Sequence, residues 1–328
     1  MIYVTFSKSL YTSSLVEQAV STPQHIHQIT DGGVALKAGV TTIPKVLVDQ
    51  LLDADSFRET LRSALLEEGN NGLILAAGNT MWTGYKFTGK YSTNYPTCKV
   101  LPLGTNQIYA GKLANSLGTF KHISVDGTSC ISGHSALEYA KLLIESGKLT
   151  RVVIVAVDNG TSEEFMKFFA ENKLITLDEE RKFFLGQGVN ITVIEDAVTA
   201  LGAGRAVLHA VTTTAEAIGN PLGISEQGTG YSNAIQDALA QAGVVPQDIR
   251  FVKLHNTHSL DNCVELSVVK KLFGNIETIS YKQDIGHTLG ASTAIETDLA
   301  IRDNGPGMFL SLGAGMGNVF SAAILEIL

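Results

Sequence analysis

Three segments of the chain combine reactive side chains with turn-forming neighbours. In Asp126-Gly127-Thr128-Ser129-Cys130-Ile131-Ser132-Gly133-His134, a cysteine lies between a predicted strand and the first turn of a predicted helix. Free amides and the helix dipole there favour the thiolate, which is the reactive form. A strand-to-helix turn also presents a nucleophile at the mouth of a sheet. The same segment fits a small buried apolar residue, a common role of cysteine in cores. In Val252-Lys253-Leu254-His255-Asn256-Thr257-His258-Ser259-Leu260-Asp261-Asn262, His255 follows an apolar strand directly. That puts it at the strand's carboxyl end, where α/β sheets place their sites. Thr257 and Ser259 add hydroxyls at alternate positions of the following loop, whereas His258 fits an ordinary loop residue. A metal is not expected, because His255 and His258 lack a further cluster of ligands. In Ser280-Tyr281-Lys282-Gln283-Asp284-Ile285-Gly286-His287-Thr288-Leu289-Gly290-Ala291, Lys282 and His287 flank a turn that leads into a helix containing Glu296. Taken alone, that segment reads rather as a helix start with a surface histidine, and only the order of the three segments favours a site.

The elements that must position these groups alternate in type, which favours an α/β architecture. Gly72 to Ala77 is an apolar run that reads as a buried strand. Thr105 to Leu117 has helical periodicity and stops at Gly118. Lys121 to Val125 reads as a short strand. Ile131 to Ser146 carries Ala136, Leu137, Ala140, Leu143 and Ile144 on one helical face and closes at Gly147. Val152 to Val157 reads as a central strand covered on both faces. The second half repeats this grammar. Strands are predicted at Ala206 to Thr213, Phe251 to Leu254 and Met308 to Leu312. Helices are predicted at Ser232 to Ala242, Cys263 to Phe273 and Gly290 to Ile301. The join near Asp196 to Gly204 is short, so the halves 1–200 and 201–328 are expected to pack as one unit, the first carrying Cys130 and the second both histidines.

Composition narrows the function classes. Of 328 residues, 45% are hydrophobic and 17% charged, enough to bury a large core. A net charge of -8 argues against a general nucleic-acid binder, which needs clustered Lys and Arg. No run of eighteen apolar residues predicts a membrane span, and the N-terminus lacks the pattern of a signal peptide. Three cysteines do not make a disulfide framework, so a reducing cytoplasm is the expected location.

The three segments, in this order, resemble the β-ketoacyl synthases, the condensing enzymes of fatty acid and polyketide synthesis in the thiolase superfamily. Thr128-Ser129-Cys130-Ile131-Ser132 is similar to their nucleophile motif, and His255-Asn256-Thr257-His258-Ser259 to their His-Gly-Thr-x-Thr motif. Lys282 with Gly286 and His287 matches their Lys-(three residues)-Gly-His spacing. Gly313-Ala314-Gly315-Met316-Gly317-Asn318 resembles their C-terminal Gly-Phe-Gly-Gly-x-Asn turn, and Leu185-Gly186-Gln187-Gly188 a further Gly-rich segment. The similarity runs from about Gly72 to the end and is nearest the ketoacyl-carrier-protein synthase I/II branch, of which the chain looks like a compact, divergent member.

The resemblance implies a thiolase fold, two pseudo-repeated βαβαβ halves in a layered αβαβα arrangement, usually dimeric. It implies that Cys130 takes an acyl group from the phosphopantetheine arm of an acyl carrier protein. His255 and His287 then promote decarboxylation of a malonyl thioester and stabilise the enolate. Lys282 and Glu296 order the histidines, the amides of Cys130 and Ala314 form the oxyanion hole, and Thr257 and Ser259 bond the pantetheine arm. No bound cofactor is implied. The partners implied are the carrier protein and a second copy or a second ketosynthase-like subunit. Three departures bear on this: Asn256 replaces the motif's glycine, Ala314 replaces the phenylalanine that gates the acyl pocket, and the span from His287 to Gly313 is shorter than is usual in the family. The alternatives are acyl transfer through Cys130 without decarboxylation, and a non-catalytic partner subunit of a ketosynthase pair.

Overall fold

The computed structural model describes residues 1–11, 27–31, 34–38, 59, 62, 70–78, 106–118, 120–160, 169, 172, 185–200, 204–257 and 262–328. Its strands are β1 (Ile2–Tyr11), β2 (His27–Asp31), β3 (Val34–Ala38), β4 (Asn71–Ala76), β5 (His122–Asp126), β6 (Arg151–Asn159), β7 (Gln187–Asp196), β8 (Ala206–Ala215), β9 (Phe251–Lys253), β10 (Glu277–Ile279), β11 (Gly307–Gly315) and β12 (Val319–Ile327). Its α-helices are α1 (Asn106–Leu117), α2 (Ser132–Glu145), α3 (Ala197–Ala200), α4 (Thr229–Ala242), α5 (Asn262–Phe273), α6 (Lys282–Ile285) and α7 (Ser292–Asp303). β2 and β3 form a separate antiparallel pair.

The other ten strands form one sheet in the order β10-β9-β11-β12-β8-β1-β7-β6-β4-β5. Within it lies a repeat. The first five run β5-β4-β6-β7-β1 and the last five β10-β9-β11-β12-β8, so by order of appearance both read third, second, fourth, fifth, first. Strand directions match as well: β4 is parallel to β5 and β6, and β9 to β10 and β11. The two sets join where Ile2, Tyr3 and Val4 pair antiparallel with Leu208, Val207 and Ala206. Instead of two separate stacked sheets, the strands thus make one continuous ladder around the central helices.

Side-chain alternation along the strands builds the layers. Ile74 and Ala76 of β4, with Val152, Ile154 and Ala156 of β6, face a middle layer shared with Ala136, Leu137 and Ala140 of α2. Their neighbours Leu73, Leu75, Val153, Val155 and Val157 face the outer helix α1 through Ala110, Leu113 and Ala114. In the second half, Phe251 and Phe309 stack at 5.0 Å and join the middle layer with Ile295 and Leu299 of α7. Val252, Leu310 and Leu312 face Tyr231, Ala234 and Ala238 of α4. Each fully buried Leu, Ile, Val or Phe contributes roughly 1.5–3 kcal/mol. The result is the helix–strand–helix–strand–helix layering expected, with α2 and α7 in the middle. No helix among the described residues is long and apolar enough to cross a membrane.

Candidate active site

The turn that carries Cys130 begins where β5 ends. Asp126 organises it: its Oδ1 accepts from the Thr128 amide (3.1 Å) and hydroxyl (2.8 Å), and its Oδ2 from Ser135 Oγ (2.6 Å). Ser129 is held in the left-handed region, φ 52°, which is uncommon for a residue with a side chain. Ser132 Oγ closes the turn on the Ser129 carbonyl at 2.7 Å. Cys130 is buried in this short 3-10 turn, directly before α2.

His287 comes to it from the other half. Its Nε2 lies 3.2 Å from Cys130 Sγ, and its Nδ1 lies 2.9 Å from Ser292 Oγ at the start of α7. The Gly-rich segment 185–188 sets its backbone: Gly186 N donates to the His287 carbonyl at 2.9 Å, and Leu185 bridges His287 in parallel fashion. The His255 ring stands edge-on to that of His287, centroids 5.5 Å apart and planes at 89°. At the end of β9, Glu265 of α5 accepts the amides of His255 (2.6 Å) and Asn256 (2.8 Å). Asn256 has φ 32°, so the position that favours glycine here carries a side chain instead.

Lys282 holds His255, and Glu296 holds Lys282. Lys282 Nζ donates to Glu296 Oε1 (2.6 Å) and to the His255 carbonyl (2.5 Å), and lies 3.5 Å from His255 Nδ1. Cys130, His255, His287, Lys282 and Glu296 therefore meet in one buried cluster. Ala314 lies in β11, opposite Phe320 of β12. Just beyond it, Gly315 abuts the Cys130 amide, where an added methyl would stand 3.1 Å from that nitrogen. The Met316 amide donates to Ser129 Oγ at 3.1 Å. Thr257 is partly buried on the loop after His255, and Ser259 lies outside the described residues.

Electrostatics set the resting state. Burial pushes the Cys130 thiol up to about 11, with Asp158 adding to the rise, while the Ser129 hydroxyl, Lys282 and the Met316 amide act against it. Burial therefore outweighs the helix terminus that favoured a thiolate, and the closed site holds a thiol. Burial, followed by the Lys282 charge, drives His255 and His287 well below the ordinary histidine range. Both rings are neutral at pH 7, each with one N–H to donate. Neutral imidazoles beside a thiol can accept its proton as it attacks and can donate to a developing oxyanion.

Several contributors carried weak sequence signals. Lys253 and Asp158 are charged residues inside apolar strands, which is itself the clue. Lys253 Nζ bonds Glu296 Oε2 (3.1 Å) and the Leu312 carbonyl (2.7 Å), and Asp158 Oδ2 accepts the Gly290 amide (2.9 Å). Asp126, Glu265 and Ser292 act through backbone and ring contacts that spacing alone does not reveal. No group of His, Cys, Asp and Glu among the described residues is arranged to hold a metal.

Comparison with known proteins agrees with this geometry. Residues 205–302 match the beta-ketoacyl synthase, C-terminal domain. A 3-oxoacyl-[acyl-carrier-protein] synthase 2 of Rhizobium meliloti (strain 1021) is 31% identical over 206 residues, covering 54% of this chain and 48% of the relative. The chain spans about half the length of the curated relatives it matches. Among solved structures, a chain from a type II polyketide acyl carrier protein in complex with its ketosynthase superposes with a TM-score of 0.72 at 16% identity, covering 86% of this chain and 84% of that one. The ishigamide ketosynthase/chain length factor gives 0.65 at 19% identity, covering 81% and 75%. The fold is the thiolase fold of these ketosynthases, and the chain is similar to β-ketoacyl synthases over the residues matched.

Proposed function

We propose that the protein is a decarboxylating condensing enzyme acting on carrier-protein thioesters. The observation that carries this reading is the meeting of one thiol with two neutral imidazoles: His287 Nε2 is 3.2 Å from Cys130 Sγ, and the His255 ring is 5.5 Å from that of His287. In the first step the Cys130 sulfur attacks the acyl thioester carbonyl of a phosphopantetheine arm. His287 accepts the thiol proton and returns it to the departing pantetheine sulfur, which leaves Cys130 acylated. In the second step a malonyl thioester loses carbon dioxide. The electron pair of the broken C–C bond moves onto the thioester oxygen, where the N–H of His255, and that of His287 once its neutral ring carries the proton on Nε2, stabilise the enolate. The enolate carbon then attacks the acyl-cysteine, the C–S bond to Cys130 breaks, a β-ketoacyl thioester leaves, and the Cys130 thiolate takes up a proton from solvent.

Under this reading Lys282 and Glu296 orient His255, and the Cys130 and Ala314 amides bind the oxyanion of the acyl transfer. Thr257 and Ser259 bond the pantetheine arm. The protein works in the cytoplasm with an acyl carrier protein and a second ketosynthase-like chain. β5 favours such a pairing. It is an edge strand among the described residues, with Ile123 exposed, and exposed edges invite a partner strand.

Release of labelled carbon dioxide from malonyl-carrier protein tests the reading. Release should fall roughly a hundredfold or more in His255→Ala and in His287→Ala, the usual loss for an oxyanion donor. Acylation of Cys130 with no release from the wild-type protein would instead favour simple acyl transfer. Neither reaction would favour a partner subunit, a reading supported by the likeness to a ketosynthase/chain length factor and by the alanine at position 314.

A further inference from the structure

Strand β9 alternates, and the residues it sends toward the middle layer are Phe251 and Lys253, both fully buried. An apolar side chain is the ordinary occupant of such a position, and burying an ammonium costs several kcal/mol unless it is well bonded. Lys282 and Glu296 already form a complete ion pair at 2.6 Å, so charge balance does not call for a second cation. Yet Lys253 Nζ takes the remaining oxygen of that same carboxylate at 3.1 Å and donates to the Leu312 carbonyl at 2.7 Å. One carboxylate thus serves two ammonium groups. Through Lys253, the helix carrying Glu296 is also tied to β11, the strand that runs into the turn 313–318 beside Cys130.

We propose that Lys253 is a positioning residue. It clamps Glu296 against β11 so that Lys282 stays on His255, and its ammonium adds positive charge that favours an anion at the Cys130–His255–His287 site. Burial, for its part, lowers the pKa of that ammonium. This inference rests on the condensing reading for the identity of that anion, which is the carboxylate of a malonyl unit or the enolate derived from it. The surrounding groups fit. From α5, Glu265 faces Lys253 but commits both oxygens to backbone amides, and burial pushes its carboxyl above the usual range. The imidazoles of His255, His287 and His134 are all held neutral, chiefly by burial, with Lys253 and Lys282 contributing to each.

The test compares Lys253→Met, which removes charge and donor, with Lys253→Gln, which removes the charge and keeps a donor. Ring titrations of His255 and His287 by NMR, with peaks assigned through single His→Gln variants, need no substrate. Both lysine variants should raise the titration midpoints, by roughly one pH unit for loss of a nearby buried cation. In turnover, kcat should fall roughly ten- to a hundredfold in Lys253→Met and less in Lys253→Gln, with KM little changed, as for other groups that orient a reactive side chain. Restoration of the wild-type midpoints by Lys253→Arg would support the role of charge. Unchanged midpoints and rate in folded Lys253→Met overturn the proposal. So does failure of both neutral variants to fold, which makes Lys253 a residue of stability alone. Absence of carbon dioxide release from the wild-type protein sinks the condensing reading, while the titrations still decide Lys253.

Discussion

The two halves place the same turn at the same point and use it differently. In the first half a 3-10 turn, Ser129–Ile131, leads into α2; in the second, Leu289–Ala291 leads into α7. Each opens on a left-handed residue, Ser129 at φ 52° and Leu289 at φ 49°, and each helix begins with serine. At the middle of the turn one half has Cys130 and the other Gly290. A methyl on Gly290 would overlap the backbone of Gly78, which itself lies against Ser129. The glycine lets the two turns close on one another, and this brings His287 to the sulfur. The repeated framework thus divides the cluster: one copy carries Cys130, and the other carries His255, His287, Lys253, Lys282 and Glu296.

The largest contrast to break is at the middle of the turns. Cys130→Ser should abolish iodoacetamide labelling of the site and turnover together, leaving only exposed Cys263 among the described cysteines to react; peptide mapping reads this. Gly290→Ala should lower stability by roughly 3 kcal/mol in urea unfolding, because its clash is with backbone that cannot rotate away. At the helix starts the contrast is subtler. Ser292 bonds His287 Nδ1, whereas Ser132 bonds only its own turn, at the Ser129 carbonyl. Ser292→Ala should therefore lower kcat roughly tenfold. Ser132→Ala should show chiefly as about 1 kcal/mol of lost stability.

The smallest effects concern pH. Buried His134, His255 and His287 have folded values below the ordinary 6.5, so unfolding takes up protons. Their contribution to stability is present above pH 6.5 and is lost as pH falls below it. Cys130 has the opposite sign: its folded value of about 11 exceeds the ordinary 9.0, so stability declines as pH rises between those values. Urea midpoints at pH 5, 7.5 and 10 should be highest at pH 7.5. His134→Gln should flatten the acid side without affecting the alkaline side.

Much of this frame was legible in the sequence because apolar periodicity and glycine stops are local. Gly118, Gly147, Gly243 and Gly274 close their helices as read, each with positive φ. Strand β7 was not legible: Asn190 and Thr192 look like loop residues, but they are buried and bonded to Ser7 of β1, a partner more than 180 residues away. Periodicity places helix starts at Ile131 and Gly290, whereas the structure inserts 3-10 turns there, because the left-handed residues before them leave no periodic trace. In the site, Cys130 and His255 are legible from their places at turns, whereas His287 stands out only through the order of the three segments and the resemblance they carry. The pairing of Lys282 with Glu296 was available only through the family resemblance. Lys253 was missed because the facing of a side chain is decided by the sheet, and a lone lysine in a four-residue apolar run says nothing of its partner.

Mass spectrometry of the intact chain and its peptides after incubation with acyl-loaded carrier protein tests the central claim most directly. One acyl group per chain is expected, on the peptide containing Cys130, and its loss when malonyl-carrier protein is added. Acyl groups on Cys98 or Cys263, or an unmodified Cys130 under conditions where the carrier protein is fully loaded, would contradict it.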